Sequence, residues 1–320
     1  MCELKKEIGG YIEYERYSGK LLHDKAIALN CGRNCLAYLI ETKQIKKIWL
    51  PFYLCDSVKK ICADKNVQTK FYNIDKSFQP IIDTIDDDEW IYIVNYYGQI
   101  SNDKLNFFLQ KHIRIIVDNA QAYFQSPLPC VDTIYTCRKF FGVADGAFLY
   151  TDSILPYDLP IDESFDRMKF LMGRFERNAS EFYADYVTNN KLFTNENLKS
   201  MSKLTENLLR SFEYERIKKI RTSNFNYLYN AFSKINLLEL NLIEGAFSYP
   251  LYLENGNVIR DKLAKEKIYI PILWPNVLND VNENDVEYKY VKNILPIPCD
   301  QRYSEYEMKK IVEEIYKCIS

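Results

Sequence analysis

Ile113-Arg114-Ile115-Ile116-Val117-Asp118-Asn119-Ala120-Gln121-Ala122 carries the fold in two halves. The first half is almost unbroken in apolar residues, and so is Ile91-Tyr92-Ile93-Val94. Strands with one wet face alternate polar and apolar, whereas strands covered on both faces read as continuous runs, as in a parallel sheet under helices. The second half turns polar at once, on Asp118, Asn119 and Gln121. Open α/β sheets bind ligands in the crevice beyond the C-terminal ends of their strands. The residues after Val117 are therefore candidates for chemistry.

Working outward, strands are expected at Lys47–Leu50, Val67–Tyr72, Trp90–Asn95, Ile113–Val117, Thr133–Thr136 and Ala147–Thr151. Helices are expected at Asn34–Thr42, Cys55–Ala63 and Asn102–Lys111. Alternation of this kind predicts a doubly wound, mostly parallel α/β domain. From Asp162 to Phe232 the chain is rich in helix formers, with a long helix expected to end near Phe232. Strand-like runs follow at Leu237–Leu242, Phe247–Tyr252 and Ile268–Ile270, with a helix near Val258–Lys267. Ser304 with Glu307 three residues on predicts the capped start of a closing helix. The expected division is a large α/β domain, 1–215, and a smaller C-terminal α+β domain, 216–320.

Composition closes off several function classes. A net charge of -2, with no clustered basic run, gives no electrostatic case for nucleic acid. The nine cysteines form no C-x-x-C pair, and their odd number suits reduced thiols. Met1 to Gly10 is too polar for a secretory signal, and no apolar run approaches the roughly 20 residues of a membrane span. A cytoplasmic protein without a membrane partner is expected. With His23 and His112 as the only histidines, no metal site is expected.

Two further segments fall near strand ends: Asn30-Cys31-Gly32-Arg33-Asn34, opening the first long helix, and Thr136-Cys137-Arg138-Lys139-Phe140-Phe141-Gly142-Val143-Ala144-Asp145-Gly146. Taken singly, each residue has an ordinary reading. Lysine is mostly a solvated surface residue, an Asp at a strand end caps or turns, and Asp145-Gly146 is by default a turn. Taken together, a lysine, an acid, a hydroxyl and a helix N-terminus are the parts that pyridoxal 5′-phosphate (PLP) requires.

The motifs resemble those of the DegT-type sugar-nucleotide aminotransferases, a family of fold-type I PLP enzymes. Asp118-Asn119-Ala120-Gln121-Ala122 resembles the family's acidic segment, and Thr136 to Gly146 a compact form of its lysine and glycine-rich turn. Asn30-Cys31-Gly32-Arg33-Asn34 is similar to its Ser-Gly-Thr phosphate turn, Leu50-Pro51-Phe52-Tyr53 to its aromatic segment, and Tyr96-Tyr97-Gly98-Gln99 to its Tyr-Gly-Gln strand end. Leu295-Pro296-Ile297-Pro298 is a fainter match in the C-terminal part.

The resemblance implies Lys139 as the Schiff-base lysine and proton shuttle, and Asp118 as partner of the pyridine nitrogen. Gln121 would meet the ring's 3-oxygen side, Thr136 the phosphate, and Gly32 with the Arg33 and Asn34 N–H groups the same phosphate. Tyr53 would stack on the ring, unless a shift of two puts Cys55 there. A neutral amine is needed at Lys139, whereas free lysine has a pKa of about 10.4, so a partly desolvated pocket walled by Phe140 and Phe141 is expected. The implied reaction moves an amino group from glutamate to a keto-sugar nucleotide in a homodimer; Phe175, Phe182, Tyr183 and Tyr186 either help to cover its interface or form internal helix core. The usual Gly-Glu-Gly-Gly turn is Ala144-Asp145-Gly146-Ala147, and the Gly-x-Asn-x-Arg acceptor segment is missing, although Arg174 and Arg177 lie in that part of the chain. Two alternatives are a PLP enzyme acting on another carbonyl or amino acid, and a non-catalytic homologue. Keeping both Lys139 and Asp118 speaks against the second, and against the dehydratase branch, where histidine replaces the lysine.

Overall fold

The computed structural model describes residues 8–112 and 114–319. Cys2 and Ile113 lie outside the described residues, as does most of the stretch from Met1 to Gly10. Ten strands and ten α-helices follow in order: β1 Ile27–Leu29, α1 Gly32–Thr42, β2 Lys47–Pro51, α2 Asp56–Asp64, β3 Gln68–Ile74, β4 Pro80–Ile81, β5 Trp90–Val94, α3 Asn102–Leu109, β6 Ile115–Asp118, β7 Asp132–Thr136 and β8 Ala147–Tyr150. Then come α4 Lys169–Glu176, α5 Tyr183–Leu192, α6 Lys203–Leu209, α7 Tyr214–Phe232, β9 Tyr249–Tyr252, α8 Gly256–Lys265, α9 Val286–Asn293, β10 Ile294–Ile297 and α10 Glu305–Ile319.

Eight strands make one mixed sheet in the order β1-β8-β7-β6-β5-β2-β3-β4. β5 and β6 are buried at every residue, as continuous apolar runs require of strands covered on both faces. β3, β2, β5, β6 and β7 run parallel, β8 runs against β7, and β1 runs against β8. Two reversals restore the direction, so β1 points the same way as β7. The C-terminal ends of β1, β5, β6 and β7 therefore share one edge, and α1 starts there.

A second cluster of buried side chains is built by Phe225, Leu228 and Phe232 of α7, Leu251 of β9, Leu295 of β10 and Met308 of α10. β9 and β10 form an antiparallel pair of their own, with Pro250 opposite Pro296. Prolines have no N–H, so facing prolines suit a position where that ladder makes no hydrogen bond. At the start of α10, the Ser304 N–H donates to Glu307 at 2.7 Å and the Tyr306 N–H to Ser304 Oγ at 3.3 Å, a close variant of the expected cap.

Two expected strands are absent among the described residues. Leu237–Leu242 makes no ladder: Leu237 donates one bond to Tyr252 O, and Asn241 is held by the Gln99 side chain, with Asn241 N–H donating to Gln99 Oε1 at 2.7 Å. Ile268–Ile270 follows the end of α8, where Lys267 has φ +60° and the Ile268 N–H turns back to Leu263 O. β1, β4, α9 and β10 were not expected from the periodicity; β1 and β4 span only three and two residues, too short to show a pattern. No helix among the described residues is long and apolar enough to cross a membrane.

Candidate active site

Asp118 ends β6, with Val94 and Ile134 as its sheet neighbours. Its Oδ2 accepts the Tyr92 hydroxyl at 2.9 Å and its Oδ1 the Ala120 N–H at 2.8 Å. Burial, and then the Asp118 charge, push the Tyr92 phenol well above its usual range, so Tyr92 remains a donor to the carboxylate. A carboxylate offers about four lone-pair positions, so two bonds leave Asp118 able to accept from a ligand.

Gln121 lies in the turn after β6. Its Oε1 accepts the Tyr97 N–H at 2.7 Å, and Tyr97 is held in a left-handed conformation at φ 54°. Such a conformation costs a non-glycine residue about 1 kcal/mol or more, and here it aims the N–H that orients the amide. The other end of that amide, Nε2, is buried and without a partner. An unpaired buried donor costs about 1–3 kcal/mol, which an acceptor on a bound ligand would relieve.

Thr136 ends β7 and Gly32 opens α1. A Cβ on Gly32 would stand 2.8 Å from Thr136 Cγ2, so glycine alone permits helix and strand to meet this closely. No side chain caps α1, and the Asn34 N–H donates to Cys31 O at 3.1 Å. The first-turn N–H groups without an intrahelical partner are thus those of Gly32 and Arg33. The Thr136 hydroxyl makes only a long bond, 3.4 Å, to Ala120 O. A cavity of about 250 Å³ opens here, lined by Gly32, Thr136, Arg138, Lys139, Phe141 and Tyr186 among others.

Lys139 sits in the turn after β7 and is exposed, which corrects the expectation of a desolvated lysine. Its Nζ lies 5.7 Å from the centroid of the Phe247 ring and has no ion pair among the described residues. Successive residues of a turn point different ways: Phe141 lines the cavity, whereas Phe140 packs under the Arg221 guanidinium at 4.6 Å. Arg221, on α7, donates to Phe140 O at 3.0 Å, to Ala246 O at 2.8 Å and to Gln301 Oε1 at 2.7 Å. Gln301 Nε2 donates to the same Phe140 carbonyl at 2.7 Å. The lysine turn is therefore tied to the C-terminal part of the chain, and burial pulls the Arg221 pKa down to about 10.

Asp145 serves structure. It is fully buried and accepts from Ser202 N–H at 2.8 Å, Ser202 Oγ at 2.7 Å and Thr205 Oγ1, anchoring the start of α6. Gly146, at φ +110°, lets the turn re-enter β8 with Cys137 Cβ only 3.2 Å from where a Cβ would stand. Arg174 and Arg177 are exposed, and Arg177 pairs with Glu181. A larger cavity of about 390 Å³ near Asp162 and Glu196 holds two ion pairs, Arg167 with Asp162 at 2.7 Å and Lys199 with Glu196 at 3.0 Å, and is also lined by Glu163 and Asp166.

Tyr53 does not join the others. It is 1 % exposed, its ring enclosed by Tyr96, Trp274 and Tyr290 with centroids 4.7–6.1 Å away, so it has no open face for stacking. Cys55, two residues on, is half-buried, with its Sγ 2.9 Å from Ser57 Oγ. Tyr92, Arg138, Arg221 and Gln301 escaped the sequence reading. Tyr92 carried one usable signal, a hydroxyl inside an otherwise apolar strand; Arg221 and Gln301 carried none.

No protein-family model matches the chain, and no curated protein matches it in sequence. Solved structures do match it in fold. An aminotransferase from Psychrobacter cryohalolentis superimposes with a TM-score of 0.65 at 14% identity, covering 92% of this chain and 87% of that one. The sugar aminotransferase CalS13 from Micromonospora echinospora gives 0.61 at 13%, covering 92% and 87%. NtdA from Bacillus subtilis, solved with bound cofactor PMP, gives 0.65 at 12%, covering 91% and 72%. At such identities the likeness establishes the fold, the fold-type I transferase architecture expected from the sequence.

Proposed function

We propose that the chain is a PLP-dependent aminotransferase of the sugar-nucleotide type, taking its amino group from glutamate and delivering it to a keto-sugar nucleotide. The observation that carries this reading is the Gln121 amide, buried beside Asp118 with its Nε2 unpaired while its Oε1 is fixed by Tyr97. The fold shared with an aminotransferase, a sugar aminotransferase and a protein solved with PMP supports it. So does the Gly32–Thr136 contact, a cradle that any side chain at 32 would fill.

When bound, the cofactor supplies an aldehyde that joins a substrate amine and a ring that takes up the electron pair released at Cα. Lys139 would hold that aldehyde through its amine and would carry the proton exchanged with the substrate Cα. Asp118 accepts the N–H of the ring nitrogen with the lone pairs that Tyr92 and Ala120 leave free. Gln121 donates Nε2 to the 3-oxygen. The Thr136 hydroxyl and the Gly32 and Arg33 N–H groups hold the phosphate at the positive end of α1; Asn34, expected to join them, gives its N–H to Cys31. No residue is assigned to stack on the ring.

The reading includes a homodimer, residues 1–215 as the cofactor-binding unit, residues 216–320 as the smaller one, and a place in the cytoplasm. Phe175, Tyr183 and Tyr186 on α4 and α5 are exposed, as are Ile8, Tyr11 and Ile12 near the N-terminus; obligate interfaces of order 2,000 Å² or more bury such groups. The deciding experiment is a visible absorption spectrum of the purified protein with PLP, before and after glutamate. A visible band that glutamate bleaches supports the reading; no band at saturating PLP removes it. Light scattering that finds a monomer at micromolar concentration removes the dimer.

A further inference from the structure

We propose that the side chains of Arg33 and Arg138 form a cationic clamp for a phosphate monoester dianion, the phosphate of the cofactor. The inference rests on the PLP reading of the site and adds a charged element to it. In the resembled family's Ser-Gly-Thr turn the corresponding residues are small and neutral; here the turn reads Cys31-Gly32-Arg33.

Among the described residues the Arg33 side chain has no hydrogen bond or ion pair, and its Nη1 is buried without a partner. Arg138 lines the cavity together with Gly32, Thr136 and Lys139. It is held there by Asn190, whose Oδ1 accepts from Nη2, and by the Phe193 ring, 4.7 Å from its guanidinium carbon. Arg167 lies on the same ring at 5.3 Å but has Asp162 as counter-ion. Among the described residues neither Arg33 nor Arg138 pairs with a carboxylate. Burial, then the charges of Arg33 and Arg167, pull the Arg138 pKa below its usual value, and the charges of Arg33 and Arg138 both act on the Cys31 thiol.

Arg33 stands in the first turn of α1 next to Gly32, which lines the same cavity as Arg138; two guanidinium groups near the positive end of one helix, without an acid, disfavour one another. A carboxylate would neutralise one of them. A phosphate dianion neutralises both and accepts the forked N–H pairs that guanidinium presents. Arg138 directly precedes Lys139, so an anion on Arg138 is within reach of one small molecule attached at Lys139. That proximity favours the cofactor's phosphate over the diphosphate of a nucleotide sugar.

The test compares PLP with pyridoxal, which has the same aldehyde and ring but no phosphate. Titrations of the full-length protein measure both affinities in wild type, Arg33→Met, Arg33→Lys and Arg138→Gln, with circular dichroism checking that each variant is folded. The clamp requires wild type to prefer PLP strongly, and Arg33→Met to lose about tenfold or more of that preference, with pyridoxal affinity unchanged. Arg33→Lys should recover part of the loss. An unchanged preference in Arg33→Met overturns the clamp, as does a variant that keeps its preference for PLP but binds a nucleoside diphosphate more weakly. Orthophosphate is the independent probe: it should raise the melting temperature of wild type and not of Arg33→Met. If PLP fails to bind but orthophosphate behaves this way, the anion site stands and the cofactor reading falls. If orthophosphate shifts neither protein, the clamp falls whatever PLP does.

Discussion

Replacing His23 by Phe should remove an acid-induced loss of stability that the wild type suffers between pH 6.5 and about 4. His23 stacks on Tyr135 of β7 with ring centroids 4.1 Å apart. Its Nε2 donates to Tyr123 O at 3.0 Å and its Nδ1 accepts the Tyr150 hydroxyl at 3.2 Å, a pairing that suits the neutral ring. Burial lowers its pKa from 6.5 to about 4, against smaller raising effects from Tyr123 O and Asp24. Above pH 6.5 the ring is neutral both folded and unfolded and adds no pH dependence. Below it the unfolded chain takes up a proton that the folded chain refuses, so stability falls with pH and levels off near pH 4. With one pKa unit worth about 1.36 kcal/mol, the loss reaches about 2.5 kcal/mol by pH 4.5. His23→Phe keeps the stacked ring but strands a carbonyl and a hydroxyl, costing about 1–3 kcal/mol at pH 7. Urea denaturation of both proteins across pH 4.5–7.5 isolates the effect, because groups such as Asp132, which burial shifts upward, cancel in the difference. The gap in stability should narrow by about 2.5 kcal/mol from pH 7 to pH 4.5. A gap that stays constant with pH would refute a buried neutral His23. Since Tyr123 follows Gln121 by two residues and Tyr135 precedes Thr136, the same titration should loosen the floor of the site.

Borohydride reduction in the presence of PLP should fix a pyridoxyl phosphate group on Lys139 alone, and Lys139→Ala should lose both label and transamination; peptide mapping of the label to another lysine would overturn the assignment. Asp118→Asn should still bind PLP but slow the half-reaction with glutamate by about a hundredfold or more, whereas a mere turn former would leave single-turnover kinetics unchanged. Arg221→Met leaves the Ala246 carbonyl only the weak Cys299 thiol donor, 3.9 Å away, takes the donor from Gln301 Oε1 and removes one of two donors to Phe140 O, at a cost of about 3 kcal/mol. Gln301→Leu leaves Arg221 its other acceptors and should be milder, so equal losses in urea midpoint would sink this account of the lysine turn.

The sheet was legible because its signal is local. Unbroken apolar runs at Ile91–Val94 and around Ile115–Val117 report two covered faces wherever they fall in the chain, and β5 and β6 are buried throughout. Leu237–Leu242 misled because an apolar run states only that it is covered, not that another strand lies beside it; Gln99 takes the hydrogen bonds a ladder would have made. Tyr53 misled similarly, since an aromatic beside a strand end packs inward as readily as outward, and Trp274 and Tyr290, more than 200 residues away in sequence, close over it.

The sequence by itself determined a parallel-type α/β sheet and a short roster of residues at its C-terminal edge, Asp118, Gln121, Thr136 and Lys139. Strand burial and strand ends are written within a few residues of each other, which is why they can be read there. Only the tertiary structure decided what state those residues are in. It fixed the Gln121 amide through a Tyr97 N–H that depends on a left-handed turn. It left Lys139 exposed while Arg221, 81 residues beyond Phe140, gripped the adjacent carbonyl. Among the described residues it also gave Arg167 an acid and left Arg33 and Arg138 without one. Orientation, exposure and counter-ions arise from contacts between segments distant along the chain, and no local pattern encodes them.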